Sequence, residues 1–367
     1  MDFTFTEEQE TIAKVARQLF EHRATPERLT ELEAGDVRYD DALWRELADA
    51  DLLGIALPEN VGGSGHRFLE LALLLTEVGF SVAPVPAYAT LLAADTIARH
   101  GSDAQQHRYL PDVVTGNLVL TTALAEPGRS DPTAPVTTAR RDGERWRITG
   151  VKELVPAAQI ANTVLVPAVT EDGEVSVFFV DTRDAGVQVQ ATETTNREPH
   201  ANVILDGATV SEEDRVSADL HDMYARAIVG LCAIQLGVTE RALRIAATYT
   251  TEREQFGRPI GSFQAVQQRM ADAFIDVEAI RWTMWQAAWR LGEGRPAKRE
   301  AAIAKFWAAE AGARVAATAQ QVHGGIGIDT TYPLFRYFLW AKHNELALGP
   351  ASAQLARLGA DYAEGDR

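Results

Sequence analysis

The hydrophobic period of this chain changes twice, and that limits its fold more than any single motif does. Up to about residue 118 the apolar residues recur three and four apart, as on one face of a helix. Ile12, Val15, Ala16, Leu19 and Phe20 follow such a face, and Thr6 with Gln9 has the spacing of a capping box. Further helices are expected over Asp41–Ala50, Arg67–Val78, Ala87–Arg99 and Ala104–Val114. From about Val119 the runs shorten and become β-branched and aromatic, as in Val175-Ser176-Val177-Phe178-Phe179-Val180. Asp142-Gly143 and Asp172-Gly173 mark hairpin turns among them. From about Ala218 the helical period returns, with long helices expected at Ala218–Tyr249, Phe263–Leu291 and Lys298–Gln321 and a shorter pair after Tyr332. The fold class is therefore α+β. A helical domain (1–118) leads into a middle antiparallel β domain (119–215), then a carboxyl-terminal four-helix-bundle domain (216–367). Trp282, Trp285 and Trp289, three and four apart, predict a buried packing seam on the second long helix.

Composition removes several function classes. A formal net charge of −17 disfavours nucleic acid and anionic membrane as partners. No apolar run is long enough to span a bilayer. The amino terminus, MDFTFTEEQE, lacks the basic-then-apolar order of a signal peptide. A single cysteine, Cys232, forbids an internal disulfide and fits a reducing cytoplasm; it lies in an apolar helical run and reads as core filler. The histidines are scattered, so no metal site is expected. Gly62-Gly63-Ser64-Gly65 has no preceding strand and no following Lys-Ser/Thr, so it reads as a turn and not a phosphate cradle.

The stretch Tyr249–Asp272, YTTEREQFGRPIGSFQAVQQRMAD, ends one helix, turns sharply through Gly257, Pro259 and Gly261, and starts another. By chemistry alone it is either a loop with a surface Arg and a core Phe, or a guanidinium and an aromatic ring offered to a phosphate and a flat base. Gln321-Val322-His323-Gly324-Gly325-Ile326-Gly327 likewise reads as an ordinary glycine helix cap or as a place of close backbone approach.

The spelling of these stretches resembles the acyl-CoA dehydrogenase family. The resemblance rests on Tyr249, Arg253, Gln255-Phe256-Gly257 and Phe263-Gln264, on Gln321 through Gly327, on Thr122 through Asp131, and on Gly150-Val151-Lys152. Asp329-Thr330-Thr331-Tyr332-Pro333 with Arg336-Tyr337 most resembles actinobacterial members that act on steroid side chains and are built from two unlike subunits. The family resemblance implies FAD as cofactor, an acyl-CoA substrate and an electron-accepting flavoprotein. It also implies flavin sites shared between subunits, with Arg253, Gln255, Phe256, Gln264, Gln321, Val322, His323, Gly324 and Gly325 lent to a neighbour's FAD. His323 then reads as a loop residue and not as a ligand or base.

Departures from the pattern fall on the other half of the shared site. Ala125 stands where a Ser or Thr precedes Glu-Pro, and Leu154-Val155-Pro156 replaces a hydroxyl-bearing loop. Leu348 and Ala227 occupy the two positions at which the family carries its carboxylate base, and Ile228 a position for a CoA-facing Arg; Arg226 is two places off. The expectation is a subunit with no catalytic residue, completing the site of a second acyl-CoA dehydrogenase subunit in an α2β2 heterotetramer. The alternatives are a self-sufficient homotetramer using Glu345 and a non-catalytic scaffold.

Overall fold

The computed structural model describes residues 4–365; Met1–Phe3, part of the amino-terminal stretch read above, and Asp366–Arg367 lie outside it. Six helices come first: α1 Glu7–Arg23, α2 Pro26–Glu33, α3 Asp41–Asp49, α4 Phe68–Ser81, α5 Ala87–His100 and α6 Asp103–Val114. The capping box on α1 forms: the Thr6 hydroxyl accepts from Gln9 N–H, and the Gln9 side chain accepts from Thr6 N–H. Helix α2 is not among those expected from periodicity. Its start is nonetheless written locally, with Thr25 as N-cap and Pro26 in the first turn.

The middle of the chain forms one eight-stranded sheet: β1 Leu120–Thr122, β2 Thr138–Asp142, β3 Arg145–Val155, β4 Thr163–Val169, β5 Val175–Asp181, β6 Val187–Ala191, β7 Ala201–Ser211 and β8 Arg215–Val216. Its order is β6-β7-β3-β2-β4-β5-β8, with β1 added to β4. Both Asp-Gly pairs turn hairpins, β2–β3 and β4–β5. The sheet is mixed, however, because β1 and β2 each pair with β4 in parallel. Hairpin signals report neighbours in sequence. The chain must leave the sheet and return to make these two pairings, and no local signal marks that.

The last third contains α7 Leu220–Glu252, the short strands β9 Glu254–Gln255 and β10 Arg258–Pro259, α8 Gln264–Gly292, α9 Lys298–His323, α10 Leu334–Leu346 and α11 Ala351–Gly365. Every residue of α4 except Leu69 is buried, so α4 is enclosed on all sides. Its crossing with α7 is set by two glycines. A Cβ on Gly79 would lie 2.0 Å from the Ile234 carbonyl oxygen, and one on Gly237 would lie 1.9 Å from that of Thr76. The two backbones therefore touch, and the amino-terminal and carboxyl-terminal helices share one core.

The tryptophan seam differs from expectation. Trp282 is 49% and Trp289 44% exposed, while Trp285 is half-buried with its ring 4.6 Å from Phe5. Ile275, Trp282 and Trp289, seven apart, with Phe274 beside them, form an exposed apolar stripe along α8. Periodicity identifies an apolar face correctly, but the described residues leave much of it exposed.

The glycine contact makes a direct prediction. In Gly237→Ala the added methyl meets backbone that cannot move without parting α4 from α7. Overpacking typically costs about 1–3 kcal/mol, and a collision with backbone belongs at the upper end. Urea unfolding is expected to show a lower midpoint with an unchanged slope, whereas Gly128→Ala, where a Cβ has open space but φ is +68°, is expected to lose less.

Candidate functional site

At the carboxyl end of α7, Arg253 caps the helix by donating its N–H to the Tyr249 carbonyl at 2.8 Å. The connection to α8 is not a plain loop. It is a tight hairpin in which β9 and β10 pair antiparallel and Phe256 and Gly257 both take left-handed angles, φ 56° and 75°. A left-handed Phe is strained, and the side chain gains no burial from it: Phe256 is 93% exposed, which rules out a core Phe. Phe263 lies edge-on to it at 6.2 Å, with the Arg258 guanidinium 4.1 Å over the Phe263 ring. Arg253, Gln255 and Gln264 are exposed as well. Among the described residues no carboxylate lies within 4 Å of Arg253, so its charge is available to an anion.

The second motif comes to the same end of the bundle. His323 is the buried last residue of α9 and not a loop residue. Its ring stacks on Tyr249 at 4.2 Å and 21°, and Nε2 lies 3.1 Å from the Tyr332 hydroxyl. Nδ1 lies 2.7 Å from the Ala319 carbonyl and must donate to it, so Nε2 is the acceptor for Tyr332. Burial lowers the His323 pKa, although the Ala319 bond opposes that, and the ring is held neutral as a structural tie. Gln321 is exposed, Val322 packs partly into the core, and Gly324 and Gly325 lie open at the surface. Gly324 requires its φ of 62°. Gly325 has no positive φ, and a Cβ there would meet no atom within 4 Å, so nothing inside the chain calls for glycine at that position.

The other quoted motifs meet inside the β domain. Lys152 and Glu126 form a fully buried ion pair, Nζ to Oε1 2.7 Å, at 0% and 2% side-chain exposure. Lys152 also donates to the Pro167 carbonyl, while Glu126 accepts from Thr137 N–H, Thr137 Oγ1 and Val136 N–H. Burial pulls the lysine pKa down. It works to raise that of Glu126, but hydrogen bonds from Lys152 and Thr137 outweigh it and keep the carboxyl below its usual range. Gly150 belongs to the same cluster, because a Cβ there would sit 2.9 Å from Thr137 Cα. These residues hold the loops in place and are not themselves free to act. Glu126 lies in the loop after β1 and Lys152 on β3, and no local signal in the sequence pairs them.

The positions that depart from the family pattern have the following surroundings. Leu348 has φ 56°, and its carbonyl accepts from Tyr224 Oη at 2.7 Å and Gln354 Nε2 at 3.2 Å. Tyr88 Oη donates to the Ala227 carbonyl at 3.0 Å, tying α5 to α7, a contact that nothing in the sequence suggests. Arg226 cannot stand in for a CoA-facing Arg. It is 4% exposed and bound to Asp222, Asp95 and the Leu291 carbonyl. Ile228 lines a cleft of about 190 Å³ between α7, α9 and α11. Pro156, which offers no hydroxyl, borders a cavity of only about 20 Å³. Glu345 is paired with Lys342.

No cluster of three or more His, Cys, Asp or Glu suited to a metal ion occurs among the described residues. Burial pushes the Cys232 thiol up to about 12, which leaves it inert. Tested against a flavin dinucleotide, the two halves differ. Exposed donors and an unpaired guanidinium at the 253–264 and 321–325 segments fit the phosphate and ring edges of such a group. The chain's own loops at 125 and 154–156 offer a methyl, apolar side chains and a proline and do not fit it.

Lys152→Ala would leave Glu126 buried without its counter-charge, and a loss of roughly 3–5 kcal/mol is expected in chemical denaturation. The double replacement Lys152→Met with Glu126→Gln is expected to lose clearly less than the two single replacements summed.

Three family models match in succession. They are described as the acyl-CoA dehydrogenase N-terminal domain over residues 6–117, the middle domain over 121–207 and the C-terminal domain over 224–362. Acyl-CoA dehydrogenase FadE27 of Mycobacterium tuberculosis is 42% identical over 99% of both chains. Among solved structures, the ChsE4–ChsE5 complex from Mycobacterium tuberculosis contains a chain with TM-score 0.95 and 42% identity, covering 99% of each. A variant of the Tcur3481–Tcur3483 steroid ACAD superposes with TM-score 0.94 at 45% identity, covering 98% of this chain and 99% of that one.

Proposed function

The chain belongs to the acyl-CoA dehydrogenase family of FAD-dependent oxidoreductases, and we propose that it is the subunit of a heteromeric enzyme that completes its partner's flavin site and runs none of its own. The observation that carries this is the contrast between the two halves of the shared site. Where the family would place its base, this chain has Leu348 and Ala227, with Tyr88 fastened to the Ala227 carbonyl. The nearest replacement, Glu345, is engaged by Lys342. Desaturation of an acyl-CoA removes a weakly acidic C–H proton, and general-base catalysis contributes about 10²–10⁴-fold. A site without a positioned carboxylate is accordingly close to inert.

The lending half, by contrast, is intact and faces outward. Arg253 offers its guanidinium to the pyrophosphate. Gln255 and Phe256 on the hairpin, Gln264 at the start of α8, and Gln321, Gly324 and Gly325 at the end of α9 would frame the remainder of the group, with Val322 and the buried His323 holding the last segment in place. When bound, FAD would supply the acceptor for the hydride that leaves Cβ, and Arg253, Gln255, Phe256 and Gln264 would hold and orient it. The exposed Ile275–Trp282–Trp289 stripe supports an assembly in which a second acyl-CoA dehydrogenase subunit covers α8, within an α2β2 tetramer. The relative named as a steroid ACAD supports a bulky substrate, a steroid side-chain CoA ester. An electron-transferring flavoprotein is the proposed acceptor and the cytoplasm the proposed location. No helix among the described residues is long and apolar enough to cross a membrane.

Co-expression with candidate partners tests the reading. The chain alone is expected to bind little FAD and to leave it oxidised when acyl-CoA is added; the mixed enzyme is expected to turn over with the partner's carboxylate as base. Arg253→Ala removes a charge-assisted contact worth roughly 1.5–3 kcal/mol, so FAD affinity of the complex is expected to fall about 10- to 150-fold with the fold intact. Glu345→Gln is expected to leave turnover nearly unchanged. Flavin reduction by the pure chain, abolished in Glu345→Gln, would establish the self-sufficient enzyme instead.

A further inference from the structure

The cleft between α7, α9 and α11 adjoins both positions at which the family carries its base. Ile228 on its wall follows Ala227, and Tyr224 and Gln354, also on its wall, hold the Leu348 carbonyl. At about 190 Å³ it is smaller than the roughly 300–1,000 Å³ of pockets that bury a drug-sized ligand, and an acyl-CoA is larger still. One wall is α11, which is thinly attached. Of residues 351–363 only Gln354 is buried, while Leu355 and Tyr362 are exposed. So little apolar burial is characteristic of an element that opens locally.

Polar contacts hold the helix instead. Arg357 reaches the loop after β1, where Nη2 lies 3.1 Å from Asp131 Oδ1 and donates to the Ser130 carbonyl. One turn further on, Asp361 pairs with Arg299 at 3.1 Å and Lys298 at 3.6 Å, both from the start of α9. All five of these side chains line the cleft, so both bridges cross it from wall to wall. Each pair is partly exposed, and such pairs contribute little singly. The closed arrangement also carries costs. Gln354 Oε1 is buried without a partner. Leu348 and Gly349, which join α10 to α11, both take left-handed angles, φ 56° and 97°, and for a leucine that is strained.

We propose, on the reading that the chain runs no site of its own, that α11 is a lid hinged at Leu348–Gly349 and latched over the cleft by Asp131 and Asp361, and that the latch keeps acyl-CoA out of this subunit. The exclusion works by charge as well as by size. Lys298, Arg299 and Arg357 are the cations that a phosphate-bearing ligand would meet here, and they are engaged by the same two aspartates that draw the helix in. Opening the lid exposes Gln354 Oε1 to water, relaxes Leu348, widens the cleft and frees the three cations together.

The test uses the full chain and reads the lid and the ligand separately. Raising sodium chloride from about 0.05 M to about 1 M shortens the screening length to roughly 3 Å. Hydrogen exchange of the α11 amides is then expected to speed up about tenfold, while the amides of α7 and α9 keep their protection. Asp131→Asn combined with Asp361→Asn removes the charges at almost unchanged size. This double variant is expected to show the fast exchange already at low salt and to lose the salt response. At low salt acetyl-CoA, followed by calorimetry, is expected to bind the double variant at least about tenfold more tightly than the wild-type chain. Exchange in α11 that ignores both salt and the replacements would overturn the latch. So would fast exchange in the double variant without any gain in acetyl-CoA binding, because the lid would then guard nothing. Failure of the parent reading would appear separately, as flavin reduction by the pure chain.

Discussion

The stack of His323 on Tyr249 is the contact that joins the ends of α7 and α9. Tyr249 is four residues before Arg253, and His323 is two residues after Gln321. Tyr332 holds the far side of the imidazole. Two segments about seventy residues apart in sequence thereby become one surface. A neutral histidine suits this role, because it donates to Ala319 and accepts from Tyr332 at once. The strained left-handed Phe256 and the unforced glycine at 325 belong to the two segments that this tie joins. Local strain without internal gain is common where a surface is shaped for something outside the chain.

That surface depends on a scaffold built from backbone contact. Gly79 and Gly237 let α4 and α7 meet with no side chain between them, and α7 then runs on to Tyr249 with Ala242 and Ala246 on its buried face. The β domain has its own anchor in the Lys152–Glu126 pair. Its energy is a balance of desolvation and attraction, but its geometry fixes β2, β3 and the 125–128 loop relative to one another. The same rigid frame fixes the backbone around positions 227 and 348. Tyr88 is tied to the Ala227 carbonyl, Tyr224 and Gln354 to that of Leu348, and Arg226 is drawn into the core beside a cleft that Tyr224, Ile228 and Gln354 line.

Most helix positions are legible in residue order, since period, capping boxes and hairpin dipeptides act over a few residues. Asp142-Gly143 and the Thr6–Gln9 box form as written. The departures have a common cause. Spacing makes the tryptophans of α8 look like a buried seam because it marks an apolar face; it carries no information on whether the covering surface lies in the same chain. The glycines after His323 suggest a loop, yet α9 continues to His323 and buries it.

Residue order alone therefore determined the three-part α+β organisation, the family, and the presence of Leu at 348 and Ala at 227, because these are matters of local pattern and of which side chain stands where. Tertiary structure alone decided that Arg226 turns inward, that Lys152 and Glu126 are partners, and that two strands add to β4 in parallel. Each of these depends on groups far apart in the chain. Such meetings are set by how the elements pack, and no short-range propensity encodes them.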